Sequence, residues 1–137
     1  MPVHLHPFPT PDVTQADIDR WRKVPVAVAV DVGVCPGQID PAIRPLRAPG
    51  QQPLLFGQAV TVQCTPPDFG AVLGALDQIN AGQVLVIAAD GDRATAMIGE
   101  ILSGHLRRKG VVGVVVDGAV RDVATLASWP DFAVFSR

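Results

Sequence analysis

The sequence predicts an α/β domain with a largely parallel sheet flanked by helices. Three observations carry that prediction. Residues 84–89 (VLVIAA) and 111–116 (VVGVVV) are apolar throughout, as strands covered on both faces are. Around them, segments of helical composition alternate with strand-like ones through short polar links, the order of βαβ units. Tyr is absent and aromatic residues make up 5% of the chain, while 48% of residues are hydrophobic, so Val, Ala and Leu must build the core. Such side chains suit a sheet packed under helices better than an aromatic-rich binding surface.

Residues 1–13 contain four prolines and read as an extended N-terminal arm; residues 14–137 read as a single α/β domain. Thr14, with Asp17 three positions on, caps a short helix over residues 14–24. Residues 24–34 (VPVAVAVDVGV) alternate and are rich in β-branched Val, which favours a strand. Residues 35–53 hold five prolines and form a long surface connection with room for one helical turn at residues 41–43. A strand follows at residues 57–64, with Val60, Val62 and Cys64 on one face and Ala59, Thr61 and Gln63 on the other. Asp68 is the expected N-cap of a helix over residues 69–79, ended by Asn80-Ala81-Gly82. The apolar strand 84–89 leads into a polar loop at residues 89–97 (ADGDRATAM). Residues 99–110 form a helix with Arg107, Arg108 and Lys109 in its last turn and Gly110 as its cap. After strand 111–116, residues 117–127 give a turn opened by Asp117-Gly118 and a short helix, and residues 132–135 a final strand.

Several classes of function are disfavoured. The net charge is −2 with acids and bases interspersed, so no basic face offers itself to nucleic acid. No apolar run approaches the ~18 residues of a membrane span, and the N-terminus lacks the pattern of a secretory signal. Cys35 and Cys64 are far apart, with no CxxC and no His at metal spacing, and read as reduced thiols of a cytoplasmic protein. No GxGxxG or Walker motif supports nucleotide binding, and Asp90-Gly91-Asp92 lacks the remaining ligands of a calcium loop.

Chemistry concentrates between Gly99 and Asp122. The helix from residue 99 to 109 travels about 15 Å, and the strand over residues 111–116 returns about 20 Å. The turn carrying Asp117, Arg121 and Asp122 therefore comes back to the helix start carrying Glu100, at the carboxyl end of the strands where open α/β sheets bind ligands. The amides of Ile101 and Leu102 suit a carboxylate or phosphate. Arg121 suits a carboxylate or a developing enolate oxygen. Asp122 suits a hard divalent cation, and Glu100 a water on that cation or the role of base. Each residue also has a plainer reading: Arg121-Asp122 as a solvated pair or helix cap, Glu100 as a complement to the helix dipole.

The run GDRATAMIGEILSGHLRRKGVVGVVVDGAVRD resembles the diagnostic segment of the family that contains the 4-hydroxy-4-methyl-2-oxoglutarate aldolases and the regulator of ribonuclease activity A. DPAIRPL, FGQAVTVQC and the spacing of ALDQINAGQVLVIAADGD fit the same pattern, so the resemblance spans roughly residues 37–136. It implies the swivelling β/β/α fold and a homotrimer with active sites between subunits. In the aldolase branch an acidic residue, twenty intervening positions and then Arg-Asp form the core motif, matched by Glu100, Arg121 and Asp122. By that resemblance Asp122 ligates Mg²⁺ or Mn²⁺, Glu100 acts through a metal-bound water, and Arg121 stabilises the pyruvate enolate. Gly99 and the amides of Ile101 and Leu102 hold the pyruvate carboxylate.

The implied reaction is cleavage of the 2-oxo acid 4-hydroxy-4-methyl-2-oxoglutarate to pyruvate, with oxaloacetate decarboxylation as a side activity. The alternative is a non-catalytic regulator that binds and inhibits ribonuclease E, or an inactive truncated member. Family members continue with a further β-rich segment, so the resemblance also implies a chain incomplete at its C-terminus.

Overall fold

The computed structural model describes residues 3–7, 13–33 and 37–137. The chain divides into two units, Leu5–Asp40 and Pro41–Arg137, the second joined by Val3 and His4. Cys35 and most of the N-terminal arm lie outside the described residues.

The smaller unit holds two helices. α1 (Gln15–Trp21) starts with the expected capping box: the Asp17 amide donates to Thr14 Oγ1 at 3.2 Å, and the Thr14 amide donates to Asp17 Oδ2 at 3.1 Å. α2 (Val26–Val32) corrects the strand expected over residues 24–34. The alternation there is Val with Ala, apolar with apolar, so its period of two defines no buried face. Val26 and Val32 stay about four-fifths exposed, at 80% and 77%. A helix satisfies its own backbone groups, whereas a strand needs a neighbour, and none of the described strands pairs with this segment. The helix penalty for Val over Ala is only a few tenths of a kcal/mol, roughly 0.5 per residue.

The larger unit runs β1 (Arg44–Pro45), β2 (Ala59–Gln63), α3 (Gly70–Gln78), β3 (Val84–Ile98), α4 (Glu100–Arg108), β4 (Gly113–Val120), α5 (Val123–Ser128) and β5 (Ala133–Ser136). The sheet order is β1-β5-β4-β3-β2, with β2 to β5 parallel and only β1 antiparallel. This is the largely parallel, helix-flanked sheet the sequence predicts. Leu85, Ile87, Val114 and Val116 are fully buried on one face of the sheet, with Val72, Ile79, Leu106, Leu126 and Phe132 in the same core. Among the described residues no helix is long and apolar enough to cross a membrane.

Three local expectations need correction. Residues 89–97 are strand, not loop: β3 continues through them with bulges. Between Ala88 and Ile98 β3 advances ten positions while its partner advances three, from Asp117 to Val120. Asp90 and Gly91, both at positive φ, take up part of the excess. Asp117-Gly118 lies inside β4 and makes no turn, because Gly118 is enclosed by the Asp92 carbonyl and Ala89 of the neighbouring strand. The cap of α3 is shifted by one: Phe69 holds the cap position, and Asp68 Oδ1 accepts from the Gly70 amide at 2.7 Å. The basic last turn of α4 is as expected, and it serves neighbours as well as its own dipole. Lys109 Nζ donates to the Leu76 carbonyl near the end of α3 at 2.5 Å, and Arg107 turns to Asp131.

The end of α4 is as expected. Gly110 (φ 83) donates to the Arg107 carbonyl, and Val111 to that of Leu106, so the chain leaves the helix in a Schellman turn. It then enters β4 at Gly113, where a Cβ would stand 2.2 Å from the Ala133 carbonyl oxygen of β5. Gly113→Ala is therefore expected to lower the unfolding free energy by about 2–3 kcal/mol, the range of core overpacking. Urea unfolding measures this, and an unchanged midpoint would contradict the close approach of β4 and β5.

Candidate functional site

The site arises where β3 and β4 end side by side. Ile98 and Val120 are register partners, and the next residue on one strand is Gly99, on the other Arg121. The Arg121 amide donates to the Ile98 carbonyl at 3.1 Å, carrying the pairing one step further. Asp122 then adopts the left-handed conformation (φ 58, ψ 35) and turns the chain into α5. That turn swings its carboxylate back to α4, and Oδ2 accepts the Glu100 amide at 2.9 Å.

Gly99 is needed for clearance. Its φ of −149° is open to any residue. A Cβ there, however, would lie 2.6 Å from Asp122 Oδ2, 2.7 Å from Arg121 Cγ and 3.0 Å from Arg121 Nε. The Arg121 side chain thus lies across the start of α4. Its Nε is 3.7 Å from Asp122 Oδ2, and the two side chains are 70% and 40% exposed. At that exposure the pair adds little stability, and the guanidinium is free to turn to another anion.

The first turn of α4 then has two open donors. The Glu100 amide is capped by Asp122, and the Ser103 amide bonds to the Gly99 carbonyl. Among the described residues no acceptor meets the amides of Ile101 and Leu102. They point out of the positive end of the helix dipole beside an arginine, an arrangement suited to a carboxylate.

The structure thus brings Gly99, Glu100, Ile101, Leu102, Arg121 and Asp122 together, but not every expected group in the expected way. The Glu100 amide is held by Asp122, and Glu100 also borders a groove of about 610 Å³ along the outer face of α4. Asp117 does not join. It sits in β4 four residues before Arg121, about 13 Å away along an extended strand, and is paired with Arg137 Nε.

The donor set fits a hard divalent cation. Oδ2 of Asp122 is occupied by the Glu100 amide, which leaves Oδ1 with no partner among the described residues. A single carboxylate oxygen on a part-exposed side chain suits Mg²⁺ or Mn²⁺, which keep several waters. Among the described residues no three His, Cys, Asp or Glu side chains form a closed cage.

Sequence reasoning missed the groove. Arg107 Nε and Nη2 both donate to Asp131 Oδ1 at 2.7 Å, and the guanidinium lies 5.1 Å from the centre of the Trp129 ring. The hydrogen bonds from Arg107 hold the Asp131 carboxyl below its ordinary value of 3.8. Trp129 in turn meets Phe132 edge-on at 5.9 Å. No sequence motif joins residues 107 and 131; only the return of the chain after α5 does. The buried Ser103 hydroxyl, without a partner among the described residues, was likewise not foreseen.

The family model described as RraA-like, Aldolase/RraA, matches residues 10–137. The chain belongs to the RraA-like family. A Halalkalibacterium halodurans protein named by inference as a 4-hydroxy-4-methyl-2-oxoglutarate aldolase is 34% identical over 128 residues, covering 91% of this chain and 59% of that protein. A Shewanella oneidensis protein of the same name is 35% identical over 83 residues, 61% of this chain and 50% of the relative. This RraA-like chain therefore spans between half and three-fifths of those relatives. Among solved structures, Streptomyces coelicolor RraAS2, described as an unusual member of the RNase ES inhibitor RraA family, superposes with a TM-score of 0.76 at 23% identity. The superposition covers 90% of this chain and 63% of that one, and at such identity it shows the fold alone.

The left-handed turn yields a stability test. Asp122→Ala removes the acceptor of the Glu100 amide and puts Ala at positive φ, so it is expected to cost about 1–2 kcal/mol. Asp122→Asn keeps an acceptor oxygen and tolerates that conformation, and should cost under about 0.5 kcal/mol. Equal losses in urea unfolding would contradict the capping role.

Proposed function

We propose that this chain forms the catalytic part of a divalent-metal-dependent carbon–carbon lyase. Its substrate is 4-hydroxy-4-methyl-2-oxoglutarate, cleaved to pyruvate, and oxaloacetate decarboxylation is a side activity. The observation that carries the reading is the Asp122–Glu100 hydrogen bond. It lays Arg121 across Gly99 and leaves the Ile101 and Leu102 amides open beside it.

The residues divide the work as follows. The two open amides take the carboxylate next to the 2-oxo group. Asp122 would hold Mg²⁺ or Mn²⁺, which would supply Lewis acidity toward the 2-oxo oxygen when bound. Arg121, loosely held, turns to the oxygen on which negative charge grows as the carbon–carbon bond breaks, and stabilises the pyruvate enolate. Glu100 takes the 4-hydroxyl proton through an intervening water as the C3–C4 bond breaks, which releases one pyruvate, and the enolate then takes a proton at carbon to become the second. Decarboxylation of oxaloacetate yields the same enolate, so the same residues serve both reactions. Ile101 and Val123 flank the site and are 76% and 46% exposed. That apolar rim supports a homotrimer whose active sites lie between subunits.

Pyruvate release from both substrates, with Mg²⁺ or Mn²⁺ and then with EDTA, tests the proposal. Chelation should abolish release and added metal restore it. Asp122→Asn and Arg121→Ala should each lower kcat/KM by about 100-fold or more. Gly99→Ala, which displaces both side chains, should do the same while the protein stays folded. A folded protein that releases no pyruvate under any of these conditions overturns the lyase reading. The remaining reading is a non-catalytic regulator that binds and inhibits ribonuclease E.

A further inference from the structure

We propose that the groove along the outer face of α4 is the subsite for the second carboxylate of a dicarboxylic 2-oxo acid, bound by Arg108. The assignment of the substrate class rests on the lyase reading; the binding site itself does not.

The groove starts at Glu100 and Ile101, in the same first turn whose open amides face the candidate site. Glu100 and Ile101 are thus common to the groove and to the helix start where a 2-oxo acid is held. One turn further on its floor is Gly104, with no side chain to fill it. A Cβ there would stand 3.6 Å from Arg108 Nη1 and 3.7 Å from Trp129 Cη2. The Arg108 guanidinium thus folds back along the helix over Gly104, with the indole opposite. From Ile101 to Gly104 the helix rises about 4.5 Å, a span comparable with the length of a five-carbon diacid.

The charges select an anion at that end. Arg107 is occupied by Asp131 and stacked on Trp129, so the two charges cancel within the wall. Arg108 has no acceptor among the described residues, and its fork suits a carboxylate bound through two parallel hydrogen bonds. Trp129 gives the intervening carbons an apolar wall. A volume of about 610 Å³ is ample for a small organic acid.

The test uses a Trp21→Phe background. Trp21 lies in the other unit and is 57% exposed, so its removal leaves Trp129 as the only indole. Glutarate should change Trp129 emission saturably, and butyrate should do so only at far higher concentration. Arg108→Gln should weaken glutarate by about tenfold or more, and Gly104→Leu, which fills the floor, should abolish the response. In cleavage assays Arg108→Gln should lower the kcat/KM ratio of 4-hydroxy-4-methyl-2-oxoglutarate over the monoacid 4-hydroxy-2-oxopentanoate by about tenfold, chiefly through KM.

If glutarate binds through Arg108 but no substrate is cleaved, the subsite stands and the lyase reading falls. If cleavage proceeds while Arg108→Gln alters neither glutarate affinity nor the diacid-to-monoacid ratio, the subsite is overturned alone. A change in sedimentation with Arg108→Gln, and no effect on glutarate, also overturns it and makes the groove a contact between subunits.

Discussion

One hydrogen bond, from the Glu100 amide to Asp122 Oδ2, ties the end of one strand to the start of the helix after another. Most of the site geometry depends on it. It forms only because Asp122 turns into the left-handed region and because Gly99 leaves room. The same carboxylate thereby caps α4, keeps one oxygen without a partner among the described residues, and lies beside a loosely held Arg121. A side chain at position 99 would drive these functions apart. Stability and chemistry are coupled at Asp122, so a loss of activity there is interpretable only alongside a measurement of folding.

The parallel sheet supplies the constraint behind that bond. Helices must return between parallel strands, so strand ends and helix starts gather along one edge. β4 delivers Arg121 to that edge by the shortest route, whereas β3 reaches it through bulges. The register Ile98↔Val120 is what makes Gly99 and Arg121 neighbours. A slip by one residue would put Asp122 out of reach of the Glu100 amide. The groove along the outer face of α4 depends on the chain's return after α5, which brings Trp129 and Asp131 against Arg107.

Much of this could be read from residues alone, because it rests on local signals. The alternation of β2, α3, β3, α4, β4, α5 and β5 follows from apolar runs and helix ends. The meeting of Glu100 with Arg121 and Asp122 follows from helix rise and strand length. Long-range pairing could not be read in this way. Polar residues 89–97 belong to β3 because β4 lies alongside, which composition does not encode. Residues 26–32 form a helix because alternating Val and Ala define no face. Asp117 fell outside the site because strand pairing, rather than its turn-forming dipeptide, determines its conformation.

The most direct test of the central claim is where a divalent cation binds. Paramagnetic broadening of backbone amide signals by substoichiometric Mn²⁺ maps that position without any assumption about the reaction. The account predicts broadening centred on residues 99–102 and 121–123, displaced by Mg²⁺ and lost in a folded Asp122→Asn protein. Broadening centred elsewhere, or retained in that variant, would contradict a metal-binding site built on Asp122.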